Sequence, residues 1–443
     1  MTTSDRFPRA TEPASSVRPV GLTSDPAAVV EDVPATGRIS GVLLAEPGKR
    51  ARWPFPHPRL VRRLTAAALA LVVMATGWSV GGALAAPGTD TVAARIAEWA
   101  RDHDMGGLVT WLEQQQYRRE QPTVGGAPAG GIPPAAGALP APADPPSAPA
   151  AASADPPAAG AEVDEPPAPP QLPPVASVAP LPGEGRWQTV VTAHGKPAVR
   201  VATLRVDDQH TAYLAGVMWL DPALVRGELR PGTRDPGGTW QAATSLTPGE
   251  QKTVAAVFNA GFRLTNNASR GGYYSEGRTA VALVDGAASL VLRTDGTATV
   301  GSWNREVRMG PEVASVRQNL VMLVDRGQVN PTCASGGTEE WGSTIGQAAF
   351  IDRSAFGVTA DGAEVYVSGA ALSVCTLGRL LADAGVVRGM ELDINPAWTS
   401  GAYFHDSATG PPQGFRLYPT QQVAPQHYLS PSSRDWYAWF LRP

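Results

Sequence analysis

The chain is poor in the groups that many enzymes and most nucleic-acid binders depend on. In 443 residues it has two cysteines and six histidines, with a net charge of -4. It has no H-E-x-x-H, C-x-x-C, G-x-G-x-x-G or Walker A run, which excludes zincins, thioredoxin-like redox sites and the common nucleotide folds. His194, His210, His405 and His427 lie scattered, against a histidine-rich metal centre. No basic stripe alternates with aromatics, so no nucleic-acid partner is expected. Proline (43) and glycine (47) are abundant but unevenly spread, so much of the chain lies outside any core.

Residues 64–86, LTAAALALVVMATGWSVGGALAA, carry no charge and suffice to cross a bilayer core of roughly 30 Å. Arg50, Arg52, Arg59, Arg62 and Arg63 precede this run and Asp90 is the first charge after it. The positive-inside rule then puts the N-terminus in the cytoplasm and the rest beyond the membrane. The alternative is a cleaved leader ending at the ALA of Ala83 to Ala85; either way the C-terminal region is extracytoplasmic, in the cell envelope. The lipid bilayer is the first expected partner.

Residues 1–63 show no hydrophobic period and read as a disordered cytoplasmic tail. Over 89–117, Val92, Ile96, Trp99 and Ala100, then Leu108, Val109, Trp111 and Leu112, keep helical spacing around Gly106 and Gly107. Two juxtamembrane amphipathic helices fit, placed on the membrane, against another chain, or over the distal domain. Residues 122–183 are dominated by Pro and Ala and read as a stiff spacer, long enough at about 3.1 Å per residue to hold a domain far from the bilayer.

Residues 185–443 are globular in pattern. Short β-like runs alternate with the turn dipeptides Asp285-Gly286, Asp295-Gly296 and Asp361-Gly362. Thr247, Pro248 and Glu250 form a capping box that predicts a helix running to Asn259, and a second helix is expected from Thr376 to Gly385. The fold class is therefore α+β: one domain on a mixed β-sheet with few helices, preceded by one transmembrane helix and a Pro/Ala-rich linker.

Polar residues at the ends of apolar runs are the candidates for chemistry. Asn259 closes AAVFN, Glu276 and Arg278 precede RTAVAL, Asp352 and Arg353 precede SAFGV, and MELDINPAW presents Glu391, Asp393 and Asn395. Alternation along a strand sets Glu391 and Asp393 on one face. Arginines among carboxylates and amides suit a phosphate-bearing sugar, since guanidinium binds phosphate in a bidentate fork. The same residues also have ordinary readings: Asn259 as a helix C-cap, Arg278 and Arg353 as partners of Glu276 and Asp352, Glu391 as a solvated strand face, and Asn395-Pro396 as a turn. Asp352, Glu391 and Asp393 could together hold Ca²⁺, without EF-hand spacing; no cofactor is otherwise expected.

Taken in order, NAGF (Asn259 to Phe262), RQNLVMLVDRGQ, RSAFGVTADG (Arg353 to Gly362), TLGRLLADAG (Thr376 to Gly385) and GMELDINPAW resemble the successive motifs of the phosphodiester glycosidase family. The resemblance implies a hydrolase that parts a sugar's anomeric carbon from a phosphodiester oxygen in a glycan or glycolipid. Carried over, Asp393 is nucleophile or base, Arg353 binds phosphate and Asn259 orients a sugar hydroxyl; Arg278, Glu276, Asn395 and Glu391 are secondary substrate-binding candidates. Where the family reads LDGGGS this chain reads LDINPA, which adds bulk and removes the N–H at Pro396. That substitution favours a second reading, a glycan-binding or wall-tethering module without turnover. A third is a structural membrane protein whose 89–117 helices recruit a partner. Outside the membrane, Cys333 and Cys375 are expected to form a disulfide worth about 3 to 4 kcal/mol.

Overall fold

The computed structural model describes residues 58–119, 121–139, 166–175, 177–264, 271–344, 347–407 and 410–443. The expected N-terminal tail lies outside these residues except for its last six, which belong to helix α1 (Pro58–Leu84). That helix is long and apolar enough to span a membrane, and none of its residues is buried by protein.

Helices α2 (Val92–Asp102) and α3 (Gly106–Arg119) follow. Thr91 caps α2, its hydroxyl accepting from the Ala94 N–H at 3.1 Å. Arg101 pairs with Glu113 at 2.5 Å and ties the two helices together. Of the three placements open to this pair, contact with the distal domain is present: Arg263 of the domain meets Asp102 at 2.8 Å and Glu98 at 3.2 Å.

The expected spacer is corrected at both ends. Ala135 N–H donates to the Gln188 side chain and Leu139 N–H to the Thr189 carbonyl. Leu172 is buried in a core cluster, and the Trp187 indole donates to the Pro170 carbonyl. Occasional apolar side chains and turn-forming glycines let these proline-rich strips lie along the domain instead of standing away from it.

The domain opens with β1 (Gln188–Ala193), β2 (Lys196–Arg205), β3 (Leu214–Leu220) and β4 (Val225–Arg230). Next come β5 (Val254–Asn259), β6 (Tyr273–Ser275), β7 (Arg278–Val281), β8 (Ala288–Arg293), β9 (Ala298–Ser302) and β10 (Val313–Gln318). Then follow β11 (Met322–Asp325), β12 (Gln328–Val329), a short α4 (Thr338–Trp341), β13 (Ile351–Thr359), β14 (Glu364–Leu372), α5 (Val374–Asp383) and β15 (Val386–Glu391). β16 (Gly401–His405), β17 (Gln413–Arg416) and β18 (Trp436–Leu441) complete it.

Three sheets result: β1-β2-β3-β14-β13-β15-β11-β12, β7-β6-β10-β8-β9, and β17-β16-β5-β18-β4. The β-rich domain with few helices is as expected, but its described ladders are antiparallel rather than mixed. Helix α5 covers one face of the first sheet with Leu377, Leu380 and Leu381. The other face meets the remaining sheets through Phe258, whose ring stacks 4.4 Å from Tyr366 and 4.5 Å from Trp439. Glu364 bridges the sheets: its carboxylate accepts from Ala298 N–H of β9 and from the Trp439 indole of β18.

The helix expected from Thr247 to Asn259 is not formed. The capping bonds are present, with Thr247 N–H donating to Glu250 at 2.8 Å, but they close one 3₁₀ turn, Glu250–Lys252. Val254–Asn259 continues as a fully buried strand between β16 and β18, because Val254, Val257 and Phe258 are better served by a central sheet position than by a helix face. The second helix is found two residues earlier than expected, with Ser373 rather than a later residue as its cap. Cys333 and Cys375 form the disulfide, 42 residues apart in sequence, joining the 331–334 turn to the start of α5.

Candidate functional site

Three strand ends converge at one crevice: the end of β5, the segment just past β15, and the approach to β18. Register fixes the first and last, since Asn259 stands opposite Trp436. The crevice, about 250 Å³ including its open mouth, is lined by Asp393, Arg434, Asp435, Trp398, His427 and Trp436, among others.

Asp393 is pinned by its backbone. Its N–H donates to the Ala260 carbonyl, and its own carbonyl accepts from Ser354 N–H and Oγ. The side chain accepts from Asn395 N–H at 2.9 Å, so the Asn-Pro segment closes a turn over it. Its second oxygen lies 3.4 Å from Arg434. Burial pushes the Asp393 carboxyl up from its ordinary pKa, and Arg434 and the Asn395 N–H oppose that rise.

Arg434 is buried yet loosely held. Its guanidinium lies 3.2 Å from Asp235, 3.4 Å from Asp393 and 3.4 Å from the Gly261 carbonyl, over the Trp398 ring at 5.2 Å. Its Nε makes no aligned hydrogen bond among the described residues, and the buried Trp436 indole N–H beside it has no partner there either. Behind it, Asp435 accepts from Arg317 Nε at 2.5 Å with both side chains fully buried; burial lifts Asp435 to about 6 against the pull of Arg317. At the other wall, His427 Nδ1 meets the Thr89 hydroxyl at 2.9 Å and its Nε2 meets Ser432. Burial lowers the His427 pKa, with Asp90 acting against it. The chain at Gly88 must pass close here: its φ is +117°, and a Cβ would stand 2.4 Å from the Pro431 carbonyl oxygen.

Of the residues singled out from sequence, Asp393 and Asn259 line this crevice. The Asn259 amide is fully engaged: it donates to the Ala260 carbonyl and Ser354 Oγ, and accepts from the Tyr366 hydroxyl and Ser400 N–H, all at 2.8 to 2.9 Å. It is a strand end and a clamp, not a helix cap. Arg353 does not pair with Asp352; it reaches across to Glu391 at 2.6 Å and donates to the Leu372 carbonyl, wholly inside the protein. Glu391 is thus buried on an inner strand rather than solvated on an edge, and burial raises its pKa against the attraction of Arg353.

Arg278 and Glu276 sit together at the β6–β7 hairpin, not at the crevice lining. Arg278 stacks 3.6 Å from the Trp240 ring centre and Glu276 accepts from Gln241 and Ala242 N–H. Asn395 turns inward on its own loop, accepting from Ala397 N–H. The trio considered for Ca²⁺ does not converge: Asp352 accepts from Tyr418, while Glu391 and Asp393 face different arginines. Among the described residues no group of three acid, histidine or cysteine side chains is placed to hold a metal.

Sequence reasoning missed Arg434, Asp435, His427, Trp398 and Asp235. Only SRDWYAWFLRP carried a signal, a charged pair set directly before an aromatic strand.

No family model matches the sequence, and no curated protein matches it. Among solved structures, the chain is similar to the catalytic domain of zebrafish N-acetylglucosamine-1-phosphodiester α-N-acetylglucosaminidase, auto-inhibited by its pro-peptide. The two are 14% identical with a TM-score of 0.38, over 58% of this chain and 88% of that one. A Synechocystis protein is 13% identical at TM-score 0.32, over 56% of this chain and 63% of that one. An exported protein from Burkholderia pseudomallei is 11% identical at TM-score 0.24, over 52% and 74%.

Proposed function

We propose that this chain is a membrane-anchored, extracytoplasmic hydrolase that cleaves a glycosyl-phosphate bond in a phosphate-bearing glycan or glycolipid, using the Asp393–Arg434 crevice. One observation carries the reading: a buried guanidinium whose Nε makes no aligned hydrogen bond among the described residues stands beside a buried carboxylate whose pKa is raised. An arginine so placed offers hydrogen bonds to a phosphate, and desolvation strengthens them.

In this reading the phosphodiester lies against Arg434 and the Trp436 indole N–H, and Trp398 supplies an apolar platform for the sugar. The bond between the anomeric carbon and the phosphate oxygen breaks, its electron pair leaving on the phosphate that Arg434 neutralises. Water bonds to the anomeric carbon and gives its proton to Asp393. Phosphate is already a good leaving group, so charge neutralisation counts for more than a strong acid. Asn259 acts by position, holding Ala260 and Ser400 at the wall, while Arg353 and Glu391 form a closed pair inside the sheet that stabilises the fold and takes no part in the reaction.

The test is to incubate the purified full chain with a panel of sugar phosphodiesters and follow free reducing sugar and phosphomonoester together. Equimolar release of both supports the reading. The Ile394-Asn395-Pro396-Ala397 turn closed on Asp393 favours the second reading, a glycan-binding module; retained binding with no release across the panel would establish it instead.

A further inference from the structure

The apolar side chains left bare on α2 and α3 fall on one side of each helix. On α2 they are Val92 and Ile96, one turn apart; on α3 they are Leu108, Trp111 and Leu112, with Val109 buried and Thr110 exposed on another side. The opposite sides are already used: Glu98 and Asp102 hold Arg263, and Tyr117 donates to the Phe350 carbonyl. Covered on one side by the domain, the pair keeps its apolar side for something else.

Its depth relative to α1 is set by direct bonds. The Trp99 indole donates to Ser79 Oγ at 2.9 Å, and His103 meets the same hydroxyl at 3.2 Å. Arg95 donates to the carbonyls of Leu84, Ala86 and Gly88, closing the open end of α1. Ser79 lies five residues inside the end of α1 at Leu84, about 7.5 Å along the axis. Helix α2 therefore runs back beside the last turns of the apolar helix, and Trp78, almost fully exposed, marks the same level.

We propose that the Val92, Ile96, Leu108, Trp111 and Leu112 faces sit in the interfacial layer of the bilayer that α1 crosses. An amphipathic helix settles about 5 to 10 Å into that layer, which matches the level fixed by Ser79, and tryptophan favours it. The occupant of this surface is lipid, by continuity with α1, whose apolar stretch is not buried by protein. Because Thr89 touches His427 and Asp102 grips Arg234 and Arg263, the crevice is strapped directly to the membrane-seated helices. Combined with the proposed hydrolase reading, this assigns the substrate class: a glycosyl phosphodiester carried in the bilayer, met at its headgroup.

The test uses the full chain in lipid nanodiscs with a nitroxide attached at Ile96→Cys, Leu108→Cys or Leu112→Cys, and at Thr110→Cys for comparison. These side chains are exposed, so the substitutions leave the fold intact, and any two of the three apolar positions suffice. Relaxation by oxygen should exceed relaxation by a water-soluble nickel chelate severalfold at 96, 108 and 112, and the ratio should fall at 110. Equal, water-like ratios at all four sites would overturn the proposal, as would shielding from both reagents, which would mean that protein covers the face. The readout needs no turnover, so failure here and failure of the hydrolase reading are separate results.

Discussion

Glu391 and Asp393 stand two residues apart, each facing an arginine, and the two pairs do opposite work. The Glu391–Arg353 pair is closed: both side chains are buried within the large sheet, and Arg353 also grips the Leu372 carbonyl. The Asp393–Arg434 pair is open: it lines a crevice, its contact is 3.4 Å, and the guanidinium Nε makes no aligned hydrogen bond among the described residues. The strand causes the difference. β15 ends at Glu391, so alternation places Glu391 against β13 and β11, whereas Asp393 leaves the ladder and meets residues from the approach to β18. A carboxylate becomes available for chemistry where the sheet stops holding it.

The comparison breaks most readily at the open pair. Asp393→Asn should lower turnover of a sugar phosphodiester by about a thousandfold while thermal unfolding changes little, since general-base or nucleophile loss commonly costs 10² to 10⁴. Arg434→Lys should cost about a hundredfold, because a point charge replaces a bidentate fork; steady-state kinetics on both variants checks this. At the closed pair the expected loss is in stability: Arg353→Met leaves Glu391 buried alone and should cost about 3 to 5 kcal/mol in urea unfolding, with activity per folded molecule kept. Reducing Cys333–Cys375 should cost about 3 to 4 kcal/mol by loop entropy, again without a direct effect at the crevice.

A smaller effect sharpens the point that buried acids away from the crevice report on folding. Burial lifts Glu364 to about 7, above the roughly 4.3 of an unfolded glutamate. Between those values the native state holds a proton that the unfolded chain has released, so stability should fall as pH rises from about 4 to 7, by about 4 kcal/mol. Glu364→Gln should flatten that slope while the catalytic pH profile stays in place. Urea titrations across this range provide the check.

Much of the fold was legible because hydrophobic period and turn dipeptides act locally. The hairpins around Asp295-Gly296 and Asp361-Gly362 and the helix ending before Gly385 follow from a few neighbouring residues each. The capping box at Thr247 was also real, but the run after it was decided by sheet neighbours β16 and β18, which no local pattern records. The site divided in the same way. Asp393 was visible as an acid at a strand end, whereas Arg434 comes 41 residues later and meets it only through the pairing of β18 with β5. The Pro/Ala-rich stretch misled for a related reason: composition fixes how stiff a segment is, and a few buried side chains such as Leu172 decide where it lies.

The most direct measurement compares wild type, Asp393→Asn and Arg353→Met on one sugar phosphodiester, with kcat/KM normalised to folded protein and unfolding free energy recorded in parallel. The account predicts that Asp393→Asn loses turnover and keeps its stability, while Arg353→Met loses stability and keeps its turnover. Turnover surviving in Asp393→Asn, or vanishing from folded Arg353→Met, would contradict it.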